Sequence, residues 1–349
     1  MLQRIYARYG ARFKLRYNAT DISWESYVQE PVSPSPGTGL VCDAFYTLHD
    51  TGGHAESPLR MGVIEQALIG EALMPALTPI TPRDATPQEI RLVHSAQYLQ
   101  TVRNDVHFGS GELSTGDTLL SEYSFEVALR AVGGVLAAVD EVVAGRLRNA
   151  FCAVRPPGHH ATPVAGMGFC IFNNIAIAAR YAQSHHKIGK ILIVDWDVHH
   201  GNGTQDAFYD DDSVLFFSVH QHPWYPGSGL RNETGTGRGL GNTINAPLPA
   251  GSGHREIFSE FEMRLAPAVQ RFRPELILIS AGFDSRIDDP LGRFELVDSD
   301  FAELTRMLRT WANESGNGRL VSVLEGGYNL RTLGPVVAAH VQTLMENGC

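Results

Sequence analysis

The chain contains the stretch Ile191-Leu-Ile-Val-Asp195-Trp-Asp197-Val-His199-His-Gly-Asn-Gly203, in which an apolar run leads directly into carboxylates and imidazoles. Such a run of Ile, Leu and Val is typical of a buried strand in a parallel sheet. Because side chains alternate along a strand, Asp195, Asp197 and His199 are predicted to share one face. A solvated turn that caps the next helix is the alternative. We favour a site at which Asp197 and His199 bind one metal ion, because buried strands seldom place three such groups together unpaired.

The composition is that of a globular, intracellular protein. The chain has 349 residues, of which 43% are hydrophobic and 19% charged, and this is enough for one α/β domain with a large core. A net charge of −10 argues against direct nucleic-acid binding and mildly favours cationic substrates. No apolar run is long enough for a membrane span, and the cysteines lack the spacing of a disulfide framework or a cysteine zinc site. We expect a cytoplasmic protein with no membrane partner, in which a homo-oligomer is possible.

Residues 1–39 are predicted to form an N-terminal arm and linker, followed by a single domain over 40–349. The first 17 residues carry five basic side chains and no acid, with apolar or aromatic residues at every fourth position from Ile5 to Tyr17. This pattern resembles an organelle presequence if it is helical, although part of it also alternates as a strand would. We prefer a surface arm. The Pro- and Gly-rich residues 31–39 are typical of a linker.

From Leu40 onward, predicted strands and helices alternate, which indicates a parallel sheet covered by helices on both faces. The predicted strands are Leu40–Asp43, Ala150–Val154, Ile191–Asp195, Val214–Val219, Leu276–Ser280 and Leu320–Leu324. The clearest predicted helices are Ser124–Ala144, Asn173–His186, His254–Arg271 and Ser299–Ser315.

Five of these strands end in chemically active residues. The segments that follow them are Arg155–His160, Asp195–Gly203, His220–His222, Ala281–Asp284 and Glu325–Tyr328. In an open α/β sheet the ligand crevice lies at the carboxyl ends of the strands, so these segments should meet in space. Six of the 14 histidines fall on three of these ends, which favours a metal-assisted acid–base site.

Two carboxylates and one imidazole, from Asp197, His199 and Asp284, would give three metal ligands and leave a position open for catalysis. Zn²⁺ is the expected ion, although this donor set also suits Fe²⁺, Co²⁺ or Mn²⁺. At least one of the two histidines at 159 and 160 then remains available as a general base. Tyr328 follows two glycines and could donate its hydroxyl to a developing oxyanion. An ordinary Gly-Gly-Tyr turn is the alternative for that motif.

Five ordered motifs resemble the histone deacetylase family, more closely its bacterial histone-deacetylase-like amidohydrolases and its class II branch. They are Arg155-Pro-Pro-Gly-His-His, Gly168-Phe-Cys-Ile-Phe-Asn-Asn, Asp195-Trp-Asp-Val-His-His-Gly-Asn-Gly-Thr, Ser280-Ala-Gly-Phe-Asp-Ser and Glu325-Gly-Gly-Tyr. The resemblance implies the arginase/deacetylase fold, a three-layer α/β/α sandwich around a mainly parallel eight-stranded sheet. It also implies zinc-dependent hydrolysis of an acyl-amide on a long amine such as lysine, and a structural potassium ion.

The resemblance also assigns residues. The implied zinc ligands are Asp197, His199 and Asp284. The implied catalytic residues are the tandem histidines, their orienting partners and a tyrosine: His159, His160, Asp195, Asn202 and Tyr328. Many members have Asp at the position of Asn202, so the imidazolium of His160 should be less stabilised here. Some class II members that are poor deacetylases have His at the position of Tyr328, and its presence therefore favours a working enzyme.

The implied substrate channel has an aromatic pair, Phe169 and Tyr225, that packs the methylene stem of the substrate. Gly168 matches the position whose carbonyl meets the substrate amide, and Leu291 stands where polyamine-selective relatives have a glutamate. The implied potassium ligands are Asp195, Asp197, His199, Ser218 and Val219.

The loops that shape the channel mouth depart from the family pattern. The first-loop pattern appears only in part over His49–Arg60, and the loop from His220 to Gly229 is short. The main hypothesis is therefore a deacylase of acylated lysine peptides or a similar small acylated amine, in which Glu112 or Asp117 could contact the substrate. The alternatives are an acetylpolyamine amidohydrolase and a non-catalytic acyl-lysine-binding regulator. A binuclear manganese ureohydrolase lacks support, because no second carboxylate pair accompanies Asp284.

Overall fold

The computed structural model describes residues 37–346, so the predicted N-terminal arm lies almost entirely outside the described residues. One sheet organises this part of the chain. Its strands are β1 (Thr38–Cys42), β2 (Thr78–Pro79), β3 (Asn149–Ala153), β4 (Ile191–Asp195), β5 (Val214–Gln221), β6 (Thr243–Leu248), β7 (Leu276–Ala281) and β8 (Leu320–Leu324). The first strand begins two residues before the predicted domain start at Leu40.

All strand pairs are parallel, and the order across the sheet is β2-β1-β3-β8-β7-β4-β5-β6. The five strands predicted to end in active residues, β3, β8, β7, β4 and β5, are therefore neighbours. Between β3 and β4 the chain skips the two places that β8 and β7 later fill. Such a switch in strand order opens a crevice at the carboxyl edge of the sheet.

Helices pack on the sheet in two groups: α4 contacts α5, whereas α10 contacts both α1 and α9. The helices are α1 (Leu59–Gly70), α2 (Pro87–Ile90), α3 (Ala96–His107), α4 (Ser124–Val143), α5 (Asn174–His186), α6 (Asn202–Phe208), α7 (His254–Glu260), α8 (Ala266–Phe272), α9 (Asp298–Ser315) and α10 (Leu333–Met345). The predicted α/β sandwich around an eight-stranded sheet is confirmed. None of the described helices has the length and hydrophobicity that a membrane span requires.

The predicted helix over His254–Arg271 differs from the structure. In the structure this segment comprises α7, a π-helical turn at Phe261–Leu265, and α8. Pro267 near the start of α8 has no amide hydrogen, and its ring crowds the preceding turn. The N–H of Ala266 instead bonds the carbonyl of Phe261, five residues earlier, as a π-helical turn allows.

A buried ion cluster joins the first loop to the segment after β3. Glu56, Arg60 and Arg155 are all fully buried. The guanidinium of Arg155 donates to Glu56 at 2.7 Å, and Arg60 donates to the same carboxylate at 3.2 Å. Burial alone would raise the pKa of Glu56, but the charge and hydrogen bonds of Arg155 outweigh it and lower the pKa to about 2.

We expect Glu56→Gln to lower the free energy of unfolding at pH 7 by about 3–5 kcal/mol, because two buried cations lose their shared anion. The folded-state pKa lies below the ordinary value, so the stability due to Glu56 is present above about pH 4.5 and is lost as the pH falls toward 2. Denaturant unfolding between pH 7 and pH 3 should therefore show a weaker pH dependence in the variant. Equal slopes in the two proteins would contradict this, and Glu71→Gln on the surface is the matched control.

Candidate active site

A cavity of about 260 Å³ opens at the carboxyl edge of the sheet. Its lining residues are Asp117, His160, Gly168, Phe169, His199, Trp224, Tyr225, Pro290, Leu291 and Tyr328. The structure thus brings many of the residues singled out from sequence to one cavity, from six separate loops. Three larger cavities are lined by none of these predicted residues: two, of about 440 and 510 Å³, lie along α3 and the start of α4, and one of about 310 Å³ lies beside α8.

Asp197, His199 and Asp284 form a buried cluster whose ligand atoms lie within 4.8 Å of one another. The Nδ1 atom of His199 is 3.0 Å from Asp197 Oδ1 and 3.2 Å from Asp284 Oδ2. Ligand atoms around a tetrahedral Zn²⁺ are about 3.4 Å apart, given metal–ligand distances of about 2.1 Å. The donor set and its spacing therefore fit a divalent cation.

The charges of this cluster are unbalanced. Burial, and then the charge of Asp197, raise the pKa of Asp284 to about 7. Burial alone would lower the pKa of His199, but hydrogen bonds to the two carboxylates outweigh it and raise the pKa to about 10. Two buried carboxylates so close together are stable as anions only with a positive charge between them. Either a proton on His199 or a metal ion can supply that charge.

Glycine makes room for this cluster. A Cβ atom on Gly326 would lie 2.1 Å from Asp284 Oδ2, and one on Gly282 would lie 2.1 Å from Asp197 Oδ2. The N–H of Gly326 also donates to Asp197 Oδ2 at 2.9 Å. Only residues without a side chain fit so close to the carboxylates.

The tandem histidines differ in their environments. His159 Nδ1 lies 2.9 Å from Asp195 Oδ2, and His160 Nδ1 lies 2.8 Å from Asn202 Oδ1. Burial opposes a charge on His159, but the carboxylates of Asp195 and Asp197 raise its pKa well above the usual range. Burial, followed by the charges of the neighbouring histidines, lowers the pKa of His160 well below it. The surroundings of His159 therefore favour a charged ring, and those of His160, which lines the cavity, favour a neutral one.

Tyr328 is 8% exposed and lies close to the buried carboxylates of Asp197 and Asp284. Burial, and then the charges of Asp284 and Asp197, raise its pKa well above the usual value, so the hydroxyl remains a hydrogen-bond donor. Phe169 packs edge-on against the ring at 5.9 Å between centroids, and the guanidinium carbon of Arg60 lies 5.2 Å from the ring centre. Arg60 also donates to the carbonyl of Gly327 at 2.8 Å, so the first loop supports the tyrosine.

The aromatic walls of the cavity depend on an unusual backbone. Phe169 has φ +67°, a left-handed conformation that is rare for a bulky residue, and Gly168 has φ +55°. Asp117 Oδ1 accepts the N–H of Gly168 at 2.7 Å and the hydroxyl of Tyr225 at 3.4 Å. Asp117 therefore braces the channel that these aromatic side chains form.

The far rim of the cavity contains Leu291, as predicted, together with Trp224 and Pro290, which the sequence reasoning missed. The indole N–H of Trp224 donates to the carbonyl of Leu291 at 2.9 Å. A tryptophan between prolines, directly before Tyr225, was the available signal for this wall.

Other histidines at the strand ends do not line the cavity. His200 contacts Ser228 at 2.8 Å, and His220 contacts the carbonyl of Gly229 at 2.9 Å, so both anchor the loop that carries Tyr225. Ser218 lies on β5 opposite Asp195 on β4, so two of the five predicted potassium ligands are paired in the sheet. A second buried group of His159, Cys170 and Glu325 is already bonded internally, because Glu325 accepts the N–H groups of residues 158 and 159.

Residues 54–344 match the family described as histone deacetylase domain. The rice protein histone deacetylase 10, chloroplastic, is 44% identical over 264 residues, which are 73% of this chain and 60% of that protein. The Pseudomonas aeruginosa histone deacetylase-like amidohydrolase is 39% identical over 278 residues, or 79% and 73% of the two chains. The Homo sapiens polyamine deacetylase HDAC10 is 40% identical over 302 residues, 83% of this chain but 44% of that protein. The chain thus spans less than two thirds of the rice and human relatives.

A solved structure supports the same relationship. The crystal structure of the HDA15 HD domain superimposes with a TM-score of 0.84 at 36% identity, covering 89% of each chain. By sequence and by fold, this chain belongs to the histone deacetylase family.

Proposed function

We propose that the chain is a zinc-dependent amidohydrolase that removes the acyl group from acylated lysine or a similar long amine. The observation that carries the proposal is the cluster of Asp197, His199 and Asp284 beside a cavity that His160 and Tyr328 line. Residues 40–349 would form the single catalytic domain. A cytoplasmic location, the absence of a nucleic-acid partner and a possible homo-oligomer remain predictions.

In this proposal Asp197, His199 and Asp284 hold the zinc ion. When bound, the ion would acidify a water molecule and polarise the scissile carbonyl. His160 lines the cavity in its neutral form and accepts the proton of the attacking water, which it later gives to the leaving amine. His159 lies deeper, is held by Asp195, and contributes a positive charge beside the reacting atoms.

The remaining residues bind and orient the acyl-amide. The hydroxyl of Tyr328 donates to the carbonyl oxygen as negative charge develops on it. The carbonyl of Gly168 accepts the substrate amide N–H, and Phe169 and Tyr225 pack against the methylene stem. We also propose a structural potassium ion held by Asp195, Asp197, His199, Ser218 and Val219; the strand register that sets Asp195 opposite Ser218 supports this proposal.

Acylated lysine is favoured over an acetylpolyamine because Leu291 lines the rim. An apolar side chain there offers a distal ammonium group no partner and partly desolvates it. The alternative that the substrate is an acetylpolyamine has support from the human relative, whose name is polyamine deacetylase. It remains the second candidate, with Asp117 as the nearby acid. A non-catalytic acyl-lysine binder is tested by the same assays, since it would bind without turnover.

Purified protein is expected to contain about one tightly bound divalent metal ion per chain and to lose activity to chelators. Asp284→Asn should weaken metal binding without unfolding the sheet, because only the loop end of β7 changes. Elemental analysis and activity measurement after chelation and zinc addition check this, with Asp212→Asn on the surface as control. Two equivalents of manganese per chain would instead support a binuclear site and overturn the proposal.

Tyr328→Phe removes a hydrogen bond that strengthens in the transition state while the ring still packs. We expect kcat on an acetyl-lysine peptide to fall by about 10²–10³-fold, or roughly 2.7–4 kcal/mol, with KM little changed. The exposed Tyr123→Phe provides the control and should retain full activity. A variant with normal kcat and normal metal content would exclude the tyrosine as the oxyanion donor.

Leu291→Glu tests the substrate class. Wild-type kcat/KM should be higher for acetyl-lysine peptides than for acetylspermidine or acetylputrescine, and the added carboxylate should shift the ratio toward the polyamines. Leu240→Glu introduces the same charge at an exposed position outside the cavity lining and should leave the ratio unchanged. A wild-type preference of about tenfold or more for an acetylpolyamine would overturn the lysine assignment, because tenfold corresponds to about 1.4 kcal/mol of discrimination.

A further inference from the structure

The carboxylate of Asp289 lies between the two loops that carry Leu291 and Tyr328, and none of the roles proposed above uses it. The side chain is 8% exposed. Its Oδ1 atom accepts the N–H of Leu291 at 2.9 Å, and its Oδ2 atom accepts the N–H of Tyr328 at 2.7 Å. Oδ2 also lies 3.3 Å from the N–H of Asn329. One buried side chain therefore bonds the backbone of both loops.

Tyr328 needs such an anchor because of the residues before it. Gly326 and Gly327 precede it, and Gly327 has φ +117°. Two successive glycines have no side chains that could hold this turn, so it is held through backbone groups. Asp197 accepts the N–H of Gly326, and Arg60 donates to the carbonyl of Gly327. The bond from Asp289 holds the next backbone group, the N–H of Tyr328 itself. It thereby fixes the position from which the Tyr328 side chain extends into the cavity.

The other oxygen of Asp289 connects this anchor to the rim. Leu291, whose N–H it holds, also accepts the indole N–H of Trp224 through its carbonyl at 2.9 Å. Asn329 makes a parallel connection between the same two loops, because its side-chain amide donates to the carbonyl of Asp288 at 2.9 Å. Hydrogen bonds of Asp289 and Asn329 therefore link the rim to the loop that carries the tyrosine.

We propose that Asp289 is a positioning residue for the hydrolysis reaction: it holds the Tyr328 hydroxyl where the substrate carbonyl develops its charge and couples that position to the Leu291 wall. This inference rests on the proposed function. A carboxylate suits the task because both of its oxygens accept hydrogen bonds, whereas the amide of asparagine has one acceptor and one donor end. Asparagine could satisfy only one of the two loops.

We expect Asp289→Asn to lower kcat on an acetyl-lysine peptide by about tenfold to a hundredfold, the effect of misplacing a reacting group by about 1 Å. KM should change by less than about threefold, because the tyrosine acts mainly in the transition state. Metal content should equal that of wild type. Asp288→Asn is the matched control, since it makes the same chemical change one residue earlier on an exposed side chain.

A double-mutant cycle separates positioning from a general structural effect. If Asp289 acts through the tyrosine, Asp289→Asn should cost less than about threefold when Tyr328 is already phenylalanine. If the loss of kcat in the double variant equals the product of the losses in Asp289→Asn and Tyr328→Phe, the proposal is overturned. Loss of metal in Asp289→Asn alone would also overturn it. If Asp289→Asn does not fold, the same measurements are made on Asp289→Ser. The short serine hydroxyl cannot accept hydrogen bonds from the N–H groups of both Leu291 and Tyr328.

Hydrogen exchange provides a readout that does not need turnover. In the wild-type protein the amides of Leu291 and Tyr328 should both be protected, and both should exchange faster in Asp289→Asn but not in Asp288→Asn. Rapid exchange at either amide in wild type, or equal rates in wild type and Asp289→Asn, would overturn the anchor. If metal-loaded wild type hydrolyses no acyl-amine, the proposed function fails, and these exchange rates alone then decide whether Asp289 couples the two loops.

Discussion

The site depends on two buried carboxylates that share one imidazole nitrogen. Asp197 and Asp284 are both fully buried, and each lies within 3.2 Å of His199 Nδ1. Two anions so close together in a medium of low polarity cannot both remain ionised without a nearby positive charge. The pKa values of Asp284 and His199 are both raised, because a proton on either group reduces this excess of negative charge. The fold therefore builds a site that favours a cation, and under the proposed function the groups around it act on the carbonyl that this cation polarises.

The strand order explains how these groups come together. Asp195 on β4 pairs with Ser280 on β7, and Ala281 on β7 pairs with Leu324 on β8, so the loops carrying Asp197, Asp284 and Gly326 begin side by side. β3 lies on the other side of β8 and brings in the tandem histidines. Glycines at 282 and 326 let these loops approach without a steric clash. The same residues in another strand order would not meet.

The sequence predicted the parts of this structure that rest on local patterns. Strand β4 has the predicted bounds Ile191–Asp195, because a continuous apolar run identifies a buried parallel strand. Strand β2, in contrast, comprises two exposed residues, too few for any period to be visible. Strand β6 contains Pro247 and alternates only weakly between buried and half-buried residues, so the apolar-run criterion missed it.

In the site, too, the residues marked by a local sequence pattern were predictable, and those that act through distant backbone groups were not. Asp197, His199 and Asp284 were predictable because each directly follows an apolar strand in the sequence. Asp289 was not, because its role depends on the backbone N–H of Tyr328, 39 residues later, and a backbone donor leaves no trace in residue type. Arg60 was visible only as the end of an incomplete motif, although its guanidinium lies 5.2 Å from the centre of the Tyr328 ring.

The polar groups at the rim bond mainly to one another. Asp117 accepts hydrogen bonds from the N–H of Gly168 and the hydroxyl of Tyr225, and the indole N–H of Trp224 donates to the carbonyl of Leu291. Under the proposed function, the entering chain therefore meets aromatic and aliphatic surface, and its binding free energy comes from packing of the methylene stem and from the acyl-amide itself. Groups beyond the rim contribute little, because polar rim atoms would first have to break their own hydrogen bonds. Under that function, we expect the site to discriminate by stem length and to accept many different flanking sequences.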